Sequence, residues 1–286
     1  MNLNNIFSEI EKADPEVYDR LDSRRAAMKN FAKTGGKMAL AAVPLAFGSL
    51  LQKAYAGTRS VNDTVVEILN YALTLEYLEA EFYNTGLATM GLIPAGDVRM
   101  GIELIAKHEN AHVKFLQTTI MSLSGMPVLK PTFDFTGGSG SGNGPFKGLF
   151  ADLGLFLSVA QAFEDTGVRA YKGRAMEIVG GGPILTAALQ IHSVEARHAA
   201  YLRETRKALG SGIGNVKPWI TGAMSGINSA AVEANYKGED VTVQSGINIV
   251  GINGLSQITA NVATEAFDEP LSKADVLAIV MLFIKP

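Results

Sequence analysis

The sequence contains no cysteine, and it has no long run of basic residues. Without cysteine the chain can form no disulfide, offers no thiolate nucleophile and cannot hold a cysteine-ligated zinc ion or iron–sulfur cluster. Any metal must therefore be bound by nitrogen and oxygen. The formal net charge is -3, which argues against a phosphate-binding surface, so nucleic acid is not an expected partner.

Long apolar runs are also scarce at the N-terminus. The apolar run over residues 38–51 has 14 residues and contains Pro44, whereas a membrane-spanning helix needs roughly 20. No stable membrane span is therefore expected there. Arg24-Arg25 precedes the run and Ala54-Tyr55-Ala56 follows it, an order of charged, apolar and small residues that is typical of an export signal.

The paired arginines resemble a twin-arginine signal, although Ala27 replaces the usual bulky residue and the leader before the pair is long. We expect residues 1–56 to be this leader, cleaved after Ala56, and the protein to be periplasmic or otherwise exported. The alternative is a cytoplasmic protein that retains an N-terminal helix, packed on the rest of the chain or on a neighbouring subunit.

Apolar residues recur at helical spacing in four segments of the remaining chain. The predicted helices cover residues 61–90, 97–124, 149–179 and 184–209. The first pair and the last pair are joined by short turns, and a Gly- and Ser-rich connection over residues 126–148 separates the pairs. This pattern predicts an all-α protein, with residues 57–210 forming a four-helix bundle that has one long crossover.

The character of the sequence changes after Gly210. Residues 211–260 are poor in charge and show no sustained period, and Ser272-Lys273-Ala274-Asp275 then resembles a capping box that opens a short helix through Phe283. We expect residues 211–286 to be an irregular extension that wraps the bundle, because a separate domain of this size needs a clearer core pattern.

Two Glu-x-x-His motifs lie on the second and fourth predicted helices. They are Glu109-Asn110-Ala111-His112 and Glu195-Ala196-Arg197-His198. Positions i and i+3 share one face of a helix, so each motif can present a carboxylate and an imidazole to the same point.

The first and third predicted helices carry a matching pattern. Glu76 is followed seven residues later by Tyr83, and Glu164 by Tyr171, a spacing close to two turns or roughly 10 Å. One unit, Glu-x6-Tyr and then Glu-x-x-His, thus occurs twice. Four glutamates balance two divalent cations and two imidazoles complete the ligand set, while each tyrosine is expected to donate its hydroxyl to a carboxylate across the bundle.

The neighbouring polar residues have simpler interpretations. Glu79 and Glu81 are expected to be solvated, as most helical glutamates are. His192 is expected to support the site or to act as a seventh ligand, and His108 to pack or to form a hydrogen bond. Phenylalanines such as Phe156 are expected in the core, together with Phe115 and Phe163.

These residues resemble the ferritin-like superfamily, in particular exported ferritin-like proteins similar to desiccation-related proteins. The resemblance covers residues 61–209 and also Phe267-Asp268-Glu269-Pro270-Leu271. Its motifs are Leu75-Glu76-Tyr77-Leu78-Glu79-Ala80-Glu81-Phe82-Tyr83, His108-Glu109-Asn110-Ala111-His112, Phe163-Glu164-Asp165 and Val194-Glu195-Ala196-Arg197-His198. The resemblance implies metal ligation by Glu76, Glu109, His112, Glu164, Glu195 and His198.

The same resemblance implies a function. Two iron ions, or alternatively two manganese ions or one of each, are expected to oxidise Fe(II) or to consume peroxide in stress protection, with O2 or peroxide as the partner. Tyr83 and Tyr171 are expected to orient carboxylates or to lend an electron. The alternative is a non-catalytic protein that binds metal or has a structural protective role. The extension and the long loop argue against storage in a hollow shell, and a homo-oligomer is left open.

Overall fold

The computed structural model describes residues 59–178, 182–212 and 216–286. The expected leader, residues 1–56, lies outside the described residues, and so do Gly180 and Gly181 of the expected break before the fourth helix. No helix within the described ranges is long and apolar enough to cross a membrane.

Four long helices form the body of the protein, which confirms the predicted bundle. They are α1 (Arg59–Ala88), α2 (Asp97–Ser122), α3 (Leu153–Ala175) and α4 (Gly182–Ala208). The predicted third helix was four residues too long at each end. Leu149–Ala151 forms a separate 3₁₀ turn before α3, and α3 itself ends at Ala175. Asp152 then caps α3 by accepting the Leu155 N–H, as carboxylates commonly do at this position.

The helices pack as two hairpins, α1 with α2 and α3 with α4, and α1 also packs on α3. Buried aromatic rings fill the space between α1 and α3: Phe82 stacks on Phe156 with ring centroids 4.6 Å apart, and its edge meets Phe163. Phe156 and Phe163 are thus in the core as expected, while Phe115 is only partly buried.

The crossover between α2 and α3 is an ordered loop that folds around one buried carboxylate. Asp134 accepts the N–H groups of Gly140 and Gly142, each at 2.9 Å. The loop also pairs with the C-terminal residues, because Asp134 N–H donates to the carbonyl of Phe283 and Lys285 N–H donates to the carbonyl of Thr132. The crossover is therefore tied to the extension.

Over residues 216–286 the C-terminal extension contains only short elements. They are α5 (Glu233–Tyr236), α6 (Ala260–Thr264), α7 (Lys273–Val280), and the antiparallel strands β1 (Val243–Gln244) and β2 (Ile247–Asn248). Ser272 caps α7 as its sequence indicates, since its hydroxyl accepts the Asp275 N–H at 3.1 Å and donates to the Asp275 carboxylate.

One buried arginine of α3 holds much of this extension. The Arg169 guanidinium donates to the carbonyls of Asn235, Lys237 and Glu269 at 2.6, 2.7 and 2.8 Å. It also forms an ion pair with Glu239 at 2.7 Å, and both side chains are almost fully buried. These hydrogen bonds add to an apolar contact, since Val276, Ile279 and Phe283 of the extension belong to the same buried core as the bundle.

Candidate metal centre

The six residues predicted as metal ligands come together in the middle of the bundle. All four glutamates are fully buried, His198 is 5% exposed and His112 is partly buried. Each of the four long helices contributes to this carboxylate cluster, which consists of Glu76, Glu109, His112, Glu164, Glu195 and His198.

The carboxylate cluster divides into two overlapping groups of donor atoms. In each group the donor atoms lie within 4.8 Å of one another. The His112 half-site comprises Glu76, Glu109, His112 and Glu195, and the His198 half-site comprises Glu109, Glu164, Glu195 and His198. Glu109 and Glu195 belong to both half-sites, so each can offer one oxygen to each of two ions.

In the His112 half-site the imidazole nitrogen points at three carboxylates. His112 Nδ1 lies 3.2 Å from Glu76 Oε2, 3.2 Å from Glu109 Oε2 and 3.2 Å from Glu195 Oε1. One nitrogen and three oxygens therefore surround a common point.

The His198 half-site repeats this arrangement on the other side of the two shared glutamates. His198 Nδ1 lies 3.0 Å from Glu109 Oε1, 3.1 Å from Glu164 Oε2 and 3.4 Å from Glu195 Oε2. The two oxygens of each shared glutamate thus face different histidines, as a bridging carboxylate requires.

Two tyrosine hydroxyls donate hydrogen bonds to the outer carboxylate oxygens of the cluster. Tyr83 donates to Glu164 Oε1 at 2.5 Å, and Tyr171 donates to Glu76 Oε1. Both hydrogen bonds cross between α1 and α3, as the sequence predicts. Each bond fixes one carboxylate oxygen and leaves the other oxygen turned towards the histidine of its half-site.

The electrostatics of the cluster call for positive charge. Burial raises the pKa of Glu76 well above its usual range and raises the pKa of Glu164 to about 8. Burial alone would lower the pKa of His198, but the negative charge of Glu164 and hydrogen bonds to carboxylates raise it to about 12. The pKa of His112 is raised in the same way by hydrogen bonds to its carboxylates. Positive charge among these carboxylates, whether from protons or from cations, is therefore favoured.

Protons alone do not satisfy this donor set. Both oxygens of Glu195 and Oε1 of Glu109 are buried without a hydrogen-bond partner among the described residues. Each of these oxygens lies within 3.4 Å of a histidine Nδ1, but the hydrogen bonds of those nitrogens go to other carboxylate oxygens. Buried carboxylate oxygens without partners are costly, and two cations bound by carboxylate and imidazole would satisfy them. The residues present fit such ions.

Comparison with known proteins agrees with this geometry. Residues 64–208 match the family model of the ferritin-like domain, a range that contains the whole carboxylate cluster and slightly more than half of the chain. The chain belongs to the ferritin-like family. No curated protein matches it significantly.

The predicted exposure of Glu79 is wrong. In this ferritin-like protein the Glu79 side chain is buried, with 3% exposed, and burial followed by the negative charge of Glu195 raises its pKa well above the usual range. Glu81, by contrast, is partly exposed and pairs with Lys130. The spacing on α1 separates the two, because Glu79 lies three residues after Glu76 and so on the inward face, whereas Glu81 does not. Gly167 on α3 leaves room for the Glu79 carboxylate, since a Cβ atom there would lie 3.3 Å from Glu79 Oε1.

The two other histidines near the cluster have separate roles. His108 Nδ1 lies 2.9 Å from His198 Nε2, the hydrogen bond that was expected for it, and so holds the outer edge of that imidazole. His192 donates from Nδ1 to the carbonyl of Val168 at 2.9 Å and belongs to neither half-site. In the ferritin-like bundle described here, His192 therefore fastens α4 to α3 and does not face the cluster.

Proposed function

We propose that this ferritin-like protein binds two iron or manganese ions in its carboxylate cluster and uses them to oxidise Fe(II) or to consume peroxide. The observation that supports the proposal is the sharing of Glu109 and Glu195 by two half-sites, each completed by one further glutamate and one histidine. Bridging carboxylates screen the repulsion between two cations a few ångströms apart.

The chain's own residues provide binding, orientation and exclusion of water. Four glutamates balance the charge of two divalent ions, and the histidines serve as neutral ligands through Nδ1. Tyr83 and Tyr171 hold the outer oxygens of Glu164 and Glu76, so these carboxylates keep their free oxygens directed inward. Such a pair of divalent ions, when bound, would supply redox chemistry, namely the two electrons that together with two protons convert one peroxide molecule into two water molecules.

The experiment that tests the function starts from metal-free protein reconstituted with Fe(II) without oxygen. Metal content by mass spectrometry should reach two ions per chain, and addition of O2 or peroxide should produce Fe(III) faster than in buffer. Manganese-loaded protein should be assayed for peroxide loss. If both metal forms hold two ions yet neither Fe(III) production nor peroxide loss exceeds the buffer rate, the redox proposal is wrong.

A non-catalytic metal-binding role is the second candidate. It is favoured by the complete burial of the four glutamates, because a buried cluster gives a substrate little access. In that case the protein would load two ions, gain stability and show no turnover in either assay.

Removal of the metal is expected to lower thermal stability under both candidate functions. A ligand at about 100 times its dissociation constant stabilises the folded state by about 2.7 kcal/mol per site. Two sites give about 5.4 kcal/mol, so chelation should lower the melting temperature by roughly 10–20 °C. Differential scanning calorimetry of metal-free and reloaded protein measures the change. Equal melting temperatures for the two forms would argue against metal binding in the cluster.

The two tyrosines should strengthen metal binding by the cluster without being required for it. In a Tyr171→Phe variant, Glu76 Oε1 loses its buried donor, and loss of such an outer hydrogen bond typically weakens metal binding about 10- to 100-fold. Isothermal titration with Mn(II) measures this loss. Tyr77→Phe is a suitable control, because Tyr77 donates to the carbonyl of Val128 away from the cluster, and its titration should match the unmodified protein.

A further inference from the structure

Every methionine that the structure describes lies at the surface. Each of the seven side chains is at least 55% exposed: Met90, Met100, Met121, Met126, Met176, Met224 and Met281. The three others, Met1, Met28 and Met38, lie outside the described residues. Methionine is usually among the residue types most often buried, so the described part of the chain has the opposite distribution.

Packing does not impose this distribution. The buried core of the described residues consists of leucine, isoleucine, valine, phenylalanine, tyrosine and alanine, and exchange of leucine for methionine in a core is usually well tolerated. On a helix surface, lysine, glutamine and glutamate have nearly the same helix propensity as methionine. Neither the core nor the helices therefore require methionine to be outside.

The exposed methionines are also spread over the molecule. They lie in the α1–α2 turn, on α2, in the crossover, after α3 and in the extension. Met100 and Met121 lie near opposite ends of α2, roughly 30 Å apart along its axis. A docking surface for one partner would gather such side chains into one patch, so a single interface does not account for them.

The thioether is the only sulfur group in the chain, which has no cysteine. A methionine sulfur takes up one oxygen atom from a two-electron oxidant and becomes a sulfoxide. With hydrogen peroxide the O–O bond breaks, one oxygen joins the sulfur, and the other leaves with both protons as water. With hypochlorous acid the O–Cl bond breaks, and chloride and a proton leave. In both reactions the sulfur loses two electrons and the oxidant gains them.

The position of a methionine decides what its oxidation does to the fold. A buried sulfoxide puts a polar group among apolar side chains and disrupts the core. Where more than half of the side chain is exposed, water can solvate the sulfoxide and the packing is kept. The carboxylate cluster is also separate from this chemistry, because its glutamates are fully buried and no methionine belongs to it.

We propose that the seven surface methionines are sacrificial oxidation sites, which consume small oxygen-atom donors such as hydrogen peroxide and hypochlorous acid before other side chains react. This role goes beyond the proposed function and does not depend on metal binding, since it uses exposed sulfur only. One oxygen atom per methionine gives the described part of the chain a capacity of seven oxidant molecules.

The test compares the full-length protein with a variant that carries Met→Leu at all seven positions, both free of metal so that no reaction at the cluster contributes. Leucine keeps an apolar side chain of similar size and removes the sulfur. Trp219, the single tryptophan of the chain, is about half exposed, so loss of its fluorescence reports oxidation beyond the methionines. During titration with hypochlorous acid, this loss should begin about seven equivalents later in the unmodified protein.

A second arm uses hydrogen peroxide and distinguishes the two oxidants. Peptide mass spectrometry should find one added oxygen at each of the seven methionines, and the unmodified protein should take up about seven more oxygen atoms than the variant. The melting temperature of the protein oxidised at these sites should fall by less than about 5 °C, because changes at the surface usually have small effects.

Leu129→Met is the matched control. Leu129 is 91% exposed, and a new thioether at this position should postpone the loss of Trp219 fluorescence by about one further equivalent of hypochlorous acid. If the sevenfold variant fails to fold, Met90→Leu combined with Met176→Leu, at the two most exposed methionines, should advance the loss by about two equivalents.

Three outcomes overturn the proposal. The first is the same onset of Trp219 loss in the unmodified protein and in a Met→Leu variant whose circular dichroism spectrum is native. The second is loss of the cooperative melting transition when only the methionines are oxidised. The third is no methionine oxidation by either oxidant, whereas oxidation in one arm alone assigns the oxidant. Failure to bind metal would overturn the proposed function and leave this role unaffected.

Discussion

A Glu195→Ala variant is expected to lose both metal ions, with the content falling from two per chain to essentially none after desalting. Glu195 supplies one oxygen to each half-site, so its removal takes a ligand from both ions together with the charge that screens their repulsion. Loss of a direct ligand should exceed the 10- to 100-fold effect typical of an outer-sphere partner. Mass spectrometry for metal content and Mn(II) titration give the measurement.

Glu76→Ala is the comparison variant for Glu195→Ala. Glu76 belongs to the His112 half-site only, so this variant should keep one ion in the His198 half-site and lose the other. If Glu195→Ala and Glu76→Ala retain the same amount of metal, the bridging role assigned to Glu195 is wrong. A circular dichroism spectrum shows that each variant is folded before its metal content is compared.

An Arg169→Met variant is expected to lose about 3–5 kcal/mol of folding free energy, the usual cost of removing one partner of a buried ion pair. The substitution leaves Glu239 as an unpaired buried carboxylate and removes the donors to three carbonyls of the extension. Burial already raises the pKa of Glu239 to about 7. Urea denaturation of metal-free protein measures the free energy of unfolding.

Lys207→Ala is the control for this result. Lys207 forms an ion pair with Glu204 one turn back along α4, and about half of each side chain is exposed, so its loss should cost less than about 1 kcal/mol. Equal destabilisation by the two substitutions would show that Arg169 does not hold the extension in the way its contacts suggest. Retention of the metal by Arg169→Met would separate stability from binding.

The bundle and the carboxylate cluster could be predicted because both depend on short-range patterns. The Glu-x-x-His spacing places Glu109 with His112 on one helix face whatever the tertiary structure, and the two-turn spacing from Glu76 to Tyr83 does the same. Helix order then brings these faces together. The boundaries of α3 were less accurate, because its apolar pattern continues through the 3₁₀ turn at Leu149–Ala151.

The burial of Glu79 follows from the same helical spacing, although it was not predicted. Glu79 lies three residues after Glu76 and four residues before Tyr83, so it shares the inward face of α1, whereas Glu81 does not. The pattern of α1 does not contain the contribution of Gly167 on α3, where a Cβ atom would lie 3.3 Å from Glu79 Oε1. The room for this carboxylate therefore depends on a residue of another helix.

The extension was predictable as a chain segment but not as a set of contacts. The capping box at Ser272 is local and could be recognised, whereas the partners of Arg169 are backbone carbonyls, which any residue can provide. Asn235, Lys237 and Glu269 are therefore not identifiable as contact residues from their side chains.

The position of the extension along the chain also bears on the order of events during synthesis. All of the carboxylate cluster is translated before the residues that bind Arg169 and before α7, whose Ile279 and Val280 lie beside Glu79. Chains generally fold from the N-terminus as they are made. The four helices can thus assemble the cluster first, and the later-made segment closes over the face where α1 meets α3.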